Sequence, residues 1–297
     1  MILKGIVTAG SSGLRLDEGA RLLFPELSKT RIRKIIDWGG CVVGGSMVRV
    51  ASRTLKAGEE LILGVMEPER CVERELRPDE ILVDDREYLA VSKEAGLNCQ
   101  RTPYQLKGTL EYMVGVAFKE RGNSEPVRVV HRLDRGTSGV MVFPTSRQPA
   151  AHLSALLKEG TVEKRYWALV RGIPGTELWE VDAPIAKVGS ARYGVATPGR
   201  EARSGFRVLA TGKGAALVEA TPHTGRTHQL RVHLAYSGFP VVGDSSYGGA
   251  PAPRMMLHCR SMTFKAAEGR NIRAVAPVDS AFTTICREYG VECPAEE

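Results

Sequence analysis

The stretch VVHRLDRGTSGVMVFP gathers residue types that can move protons or attack carbon. A carboxylate, Asp134, stands between Arg132 and Arg135 on a polar loop that runs back into the apolar residues Val140 to Phe143. Cations within a few ångströms of a carboxyl favour its charged form, and an ionised carboxylate can serve as nucleophile or base. The same pattern also suits a salt-bridge partner or a turn residue ahead of Gly136. Two similar motifs are excluded. The order H-R-L-D is not the H-R-D of a protein kinase, and Gly136-Thr137-Ser138-Gly139 is not the G-x-S-x-G of a serine hydrolase.

A second constellation, HTGRTHQLRVHLAYSGFPVVGDSSYGG, places Arg226 just before a predicted helix and Arg231 within it. Thr227 is expected to cap that helix, Leu230 and Leu234 to face inward, and Gly238 to end it. His223, His228 and His233 recur every five residues. That is not the i, i+4 spacing of a helical zinc pair, so no metal is expected. Between the two motifs, KRYWALVRG reads as a strand with Tyr166, Ala168 and Val170 on one side. Tyr166 suits either a core aromatic or a ring that packs against a base drawn from its stack.

These groups need a scaffold, and the composition supplies one. The chain has 297 residues, 43 % hydrophobic and 25 % charged, which fits globular domains and argues against disorder or a collagen-like chain. The length suggests about two domains. Lys and Arg number 41 against 34 Asp and Glu, a formal charge of +7, which favours an acidic partner such as nucleic acid. No charge-free apolar run approaches the roughly 18 residues that span a bilayer, so a cytoplasmic location is expected. Six cysteines, Cys41, Cys71, Cys99, Cys259, Cys286 and Cys293, lie singly without C-x-x-C pairs and are expected as reduced thiols.

The acidic, proline-punctuated EPERCVERELRPDE, Glu67 to Glu80, separates two basic regions. It predicts a small domain at 1–66, a linker at 67–79 and a larger domain at 80–297. In the first, Leu16, Ala20, Leu23 and Phe24 recur at helical spacing, Pro25 breaks the pattern, and Ser28 can cap a second helix. CVV, Gly44-Gly45 and SMVRV read as a hairpin, with LILGV as the last strand. Arg31, Arg33 and Lys34 lie away from the apolar face of the second helix, as a solvated surface or a phosphate-binding one. In the larger region, strand-like VRVV, YLAVS, GVMVF, RYWALV, FRVLA and ALVEA mix with helical GTLEYMVGVAFKE and PAAHLSALLKE. FRVLA and ALVEA predict an antiparallel hairpin. The fold class is therefore α+β, a mixed, largely antiparallel sheet with flanking helices, preceded by a small α/β domain.

HRLDRGTSGVMVF, KRYWALVRG and the long third motif, in this order, resemble the RluA-type pseudouridine synthases from about residue 80 to about 265. RLDEGARLLFPELSKTRIRKIIDWGGCVVGGSMVRVASRTLKAGEEL resembles the small RNA-binding domain first described in a ribosomal small-subunit protein. The first resemblance implies isomerisation of uridine in RNA to pseudouridine without a cofactor. It implies Asp134 as catalytic aspartate, Tyr166 as the aromatic against the flipped uracil, and Arg231 as partner of Asp134, with Arg226 second. Arg132 would enter the stack where the base leaves, and His131 and Arg226 would join the substrate-binding set. The second implies RNA contacts by Arg31, Arg33 and Lys34. YLAVSKEAGLNCQR keeps the first-motif Lys93 and Gly96-Leu97 but has Ser92 and Glu94 where that family usually has Asn and Pro. Together these imply a monomer acting on ribosomal RNA, with transfer RNA as a further candidate and no membrane partner. The competing reading is a non-catalytic RNA-binding or ribosome-assembly factor.

Overall fold

Apolar spacing and turn chemistry account for most of the elements. The computed structural model describes residues 1–65, 74–102, 104–190 and 192–295. Cys71 and most of the expected linker lie outside them. The chain forms two units, Met1–Leu76 with Asn98–Gly122, and Arg77–Leu97 with Asn123–Glu297.

The first unit contains β1 (Ile2–Ile6), α1 (Leu16–Leu23), α2 (Lys29–Asp37), β2 (Cys41–Val43), β3 (Ser46–Met47), β4 (Glu60–Gly64) and α3 (Leu110–Glu120). Its sheet runs β1-β4-β2-β3. The Ser28 hydroxyl caps α2 by accepting the Arg31 N–H at 3.2 Å. Ile32, Ile35 and Ile36 then join Leu16, Ala20, Phe24, Leu61 and Leu63 in the core. Gly44 and Gly45 both take positive φ between β2 and β3, as a tight hairpin turn requires. Strand β1 was not expected; it is an edge strand with half its side chains in solvent, and Lys4 blurs its pattern.

Residues 98–122 fall in the first unit, whereas the sequence division puts them in the larger domain. The Leu106 N–H donates to the Trp38 carbonyl at 2.7 Å and Lys107 pairs with Asp37 at 2.6 Å. Such pairings across some 70 residues leave no mark on local composition. On α2, Arg33 Nε donates to Asp17 at 2.6 Å, beside Arg15 at 3.1 Å. Burial pushes the Asp17 carboxyl up, and the two guanidinium hydrogen bonds overcome that and hold it below its ordinary value.

The second unit contains β5 (Ile81–Asp84), β6 (Tyr88–Lys93), β7 (Ser138–Pro144), α4 (Arg147–Glu159), β8 (Glu163–Arg171), β9 (Leu178–Asp182), β10 (Ile185–Lys187) and β11 (Tyr193–Val195). It continues with β12 (Arg203–Thr211), β13 (Ala215–Pro222), α5 (Gln229–Tyr236), β14 (Leu257–Lys265), β15 (Asn271–Val275) and α6 (Ser280–Glu288). The large sheet runs β5-β6-β7-β14-β8-β13-β12-β9, with β15 also on β14. The fold is thus α+β with a mixed, largely antiparallel sheet. The FRVLA and ALVEA strands form the expected hairpin, β12 against β13.

Only β7 and β14 pair in parallel among the described strands of this sheet, through His258 opposite Ser138 and Cys259 opposite Gly139. A side chain at Gly139, whose φ is +108°, would overlap the Cys259 carbonyl. Polar side chains reinforce this junction. Arg254 donates to the Ser138 hydroxyl at 2.6 Å and Ser138 Oγ lies 2.8 Å from His258 Nδ1. The hydroxyl therefore donates to Nδ1, and His258 Nε2–H donates to the Ala276 carbonyl at 3.0 Å. Burial pushes the His258 imidazole down to about 4. One expected strand is absent: VRVV, residues 127–130, is irregular. It has β-branched residues but no neighbour to complete its ladder.

Candidate active site

Asp134 sits on the loop that enters β7, and the end of β6 braces that loop. The buried Lys93 ammonium donates to the carbonyls of Glu94, Leu97 and Arg135. The Gly96 N–H donates to the Arg135 carbonyl at 2.7 Å, and Arg135 Nε donates back to the Gly96 carbonyl at 3.0 Å. The Thr137 N–H closes the turn on the Asp134 carbonyl at 3.0 Å. The Gly96 spacing of the first motif thus fixes the backbone on which Asp134 stands.

Arg231 reaches Asp134 from α5. Its Nη1 donates to Asp134 Oδ2 at 2.9 Å, while its Nε and Nη2 form a two-point clamp on Asp244 at 2.6 and 2.9 Å. Two carboxylates therefore share one guanidinium. Burial lowers the Arg231 pKa, but the hydrogen bonds and charges of Asp244 and Asp134 more than offset it and hold it above its ordinary value. Asp244 is 3 % exposed. The neighbouring cations Arg132 and Arg135 do not pair with Asp134; Arg135 is turned to Gly96 and Arg132 is exposed.

The start of α5 departs from expectation. Thr227 is not the cap; His228 holds that position in the left-handed conformation, φ 57° and ψ 18°. Gln229 secures the turn instead, its Oε1 accepting the Arg226 N–H at 3.0 Å and the Thr224 hydroxyl at 2.7 Å. The amide thus braces the loop ahead of the helix, and His228 makes no side-chain cap hydrogen bond to its first turn. His228 Nδ1 lies 2.9 Å from the Tyr247 hydroxyl and its Nε2 3.8 Å from Asp134 Oδ2.

Asp134, Arg132, His131, Tyr166, Arg226, His228 and Arg231 line one cleft of about 620 Å³. Tyr166 projects there from β8, half-buried, and Lys164 lines the same cleft two residues earlier, its pKa lowered by burial. His131 accepts the Val142 N–H at 2.9 Å, and burial pushes its imidazole down to about 4. One ring nitrogen of His131 is thereby committed to holding the loop against β7. Arg226 donates to the Glu201 carbonyl at 2.7 Å rather than to Asp134. Asp244, Tyr247 and the αL state of His228 went unread; their signal is the polar GDSSYGG stretch directly after buried Val241 and Val242.

Residues 87–236, from β6 to the end of α5, match the family model for RNA pseudouridylate synthase. The chain belongs to this family. It is 36 % identical over 253 residues to an Aquifex aeolicus protein named as an uncharacterized RNA pseudouridine synthase, covering 82 % of this chain and 80 % of that one. It is 35 % identical over 243 residues to the ribosomal large subunit pseudouridine synthase D of Pseudomonas aeruginosa, covering 80 % and 74 %. The fold resembles human RNA Pseudouridylate Synthase Domain Containing 4 with TM-score 0.62, at 24 % identity over 72 % of this chain and 94 % of that one. An RNA pseudouridine synthase isomerises uridine within RNA, and this chain is an enzyme of that kind. The matched span holds Asp134, Tyr166, His228 and Arg231; Asp244 and Tyr247 lie beyond it.

Proposed function

We propose that Asp134 is the catalytic carboxylate of uridine isomerisation in ribosomal RNA, with Tyr166 against the uracil, Arg231 holding the carboxylate, and Arg132 filling the gap in the stack. The observation that carries this reading is the 2.9 Å contact of Arg231 with Asp134 in a cleft that Tyr166 and Arg132 also line.

The chemistry sets the demands on such a cleft. The bond from the sugar to N1 of uracil breaks, the ring turns, a bond to C5 forms, and the proton on C5 leaves while N1 gains one. No atom is lost, so the detached ring must stay in place. A target base within a helix must first leave its stack, at a cost of a few kcal/mol. An exposed cation at the mouth, Arg132, can occupy the vacated space and meet the flanking phosphates. Closing the cleft over the base excludes water, and there the Arg231 guanidinium, 2.9 Å from Asp134 Oδ2, holds the carboxylate in place.

Ribosomal RNA is favoured by the name of the Pseudomonas relative and by the sequence resemblance of residues 15–61 to the small RNA-binding domain first described in a ribosomal small-subunit protein. Transcripts of large-subunit ribosomal RNA and of transfer RNA, labelled with tritium at C5 of uridine, test this directly. Tritium should be released from the ribosomal transcript and not from the transfer RNA. Release from transfer RNA alone would reassign the substrate. The reading keeps the expected monomer, acting in the cytosol without a cofactor.

The first unit serves this reading as the RNA-anchoring domain. Arg31 and Lys34 are exposed on α2, whereas Arg33 is tied to buried Asp17. Replacing both Arg31 and Lys34 by Ala should weaken RNA binding and reduce the slope of log K against log salt by about 1 per lost phosphate contact. The turnover rate on saturating RNA should not change. Filter binding across a salt series measures both quantities, and an unaltered slope would take phosphate binding away from α2.

A further inference from the structure

We propose that His228 is a positioning residue for the isomerisation, and that with Arg231 it reserves Oδ1 of Asp134 as the oxygen that meets the substrate. The inference rests on Asp134 being the catalytic carboxylate. Arg231 donates to Oδ2 at 2.9 Å, and His228 Nε2 also stands nearest Oδ2, at 3.8 Å. Oδ1 accepts no hydrogen bond among the described residues, and the carboxylate is 20 % exposed toward the cleft.

The Asp134 carboxylate, an acceptor, faces Nε2, which favours the neutral tautomer with its proton on that nitrogen. The Tyr247 oxygen accepts the Tyr193 N–H at 3.2 Å, and in this tautomer its hydroxyl donates to His228 Nδ1 at 2.9 Å. Nδ1 is then an acceptor, and the proton of the neutral ring lies on Nε2, on the side of Asp134. Burial lowers the His228 pKa despite the pull of Asp134, so the ring is neutral near pH 7. At 3.8 Å the contact is too long for a hydrogen bond. Such contacts commonly tighten when substrate closes the site.

The backbone points the same way. A left-handed conformation is uncommon for a residue with a side chain and persists only where its surroundings enforce it. Here Gln229 locks the turn, and the imidazole meets Tyr193 and Tyr247 edge-on, with centroids 5.6 and 5.7 Å away. Arg231 packs over the Tyr247 ring at 4.9 Å. Tyr247 therefore orients both groups that face Oδ2.

Three substitutions separate positioning from a purely structural role. Gln places a side-chain N–H near the site of Nε2, Asn suits the left-handed backbone best but stops short, and Leu fills space without donating. Single-turnover rates and RNA affinity are measured separately on each full-length variant, alongside thermal melting. His228→Leu and His228→Asn should slow turnover by about 10- to 100-fold, the scale of a small misplacement, with RNA affinity within about twofold. His228→Gln should recover most of the rate. A rate that follows melting temperature, with Asn restoring it best, would overturn the proposal. Tyr247→Phe provides an independent arm, since it frees the tautomer; it should slow turnover, and adding His228→Leu should cost little more. Full additivity of the two would also count against it. If Asp134→Asn is inert while His228→Leu and Tyr247→Phe both work at the normal rate, this inference alone fails. If Asp134→Asn turns over normally, the assignment of Asp134 fails first.

Discussion

Asp134→Asn is expected to lower turnover by at least about 10³-fold, as loss of a group that acts on the reacting atoms does. RNA affinity should stay within a few-fold of the parent. The amide matches the carboxylate in shape, and its oxygen can still accept from Arg231 Nη1, so the cleft keeps its geometry. Arg231 also keeps a full counter-charge, because Asp244 clamps it from the other side. What the substitution removes is the negative charge itself. Tritium release from C5-labelled ribosomal transcripts, read against RNA binding and a melting curve, isolates that loss. Near-normal release from a folded variant would show that Asp134 is not the catalytic group.

Asp244→Ala should act on both stability and rate. Asp244 is almost fully buried and binds the guanidinium at two points. Removing Asp244 takes away the two-point partner and leaves Arg231 with Asp134 alone, so the cost should fall below the about 3 to 5 kcal/mol of a wholly unpaired buried ion. Arg231 would then have only Asp134 as partner and would settle on it, covering the oxygen the substrate needs. Turnover should fall by about 10²-fold, the scale of a misplaced catalytic geometry, and denaturant unfolding should shift to lower midpoint. Asp244→Asn keeps the shape of the clamp and should lie between the parent and Ala on both readouts. A folded Asp244→Ala protein with the parent's midpoint would mean that Asp134 alone suffices to hold Arg231.

The periodicities that made the fold class legible are those with local causes. Helix α2 follows from its isoleucines and the Ser28 cap, and the β12 and β13 hairpin from two apolar runs around Gly212-Lys213-Gly214. Features that depend on distant partners were hidden. Residues 127–130 carry strand-forming side chains but find no neighbour, and residues 98–122 gather with the first unit through Trp38 and Asp37. At the site, Asp134 and Arg231 are 97 positions apart, and only motif resemblance could associate them. Asp244 lies within the third motif but was passed over, because a lone aspartate in a glycine-rich loop reads as a turn residue until its burial against Arg231 is known. The helix start at His228 was misread for a related reason: Thr227 is the better cap by type, but the side chain of Gln229 folds back onto the Arg226 N–H and the helix begins one residue later.

The parallel junction of β7 with β14 has a consequence for how the protein is made. Strands β5 to β7 carry the loop of Asp134, whereas Tyr166 and Arg231 belong to the other side of the junction. The strand that unites them, β14, ends only at Lys265, and chains emerge from a ribosome N-terminus first. A nascent chain therefore holds every cleft residue named above before it holds the strand that brings them together. Activity toward RNA is therefore expected to arise only once translation has passed Lys265, so that a half-made enzyme would be silent beside the RNA-rich machine that builds it.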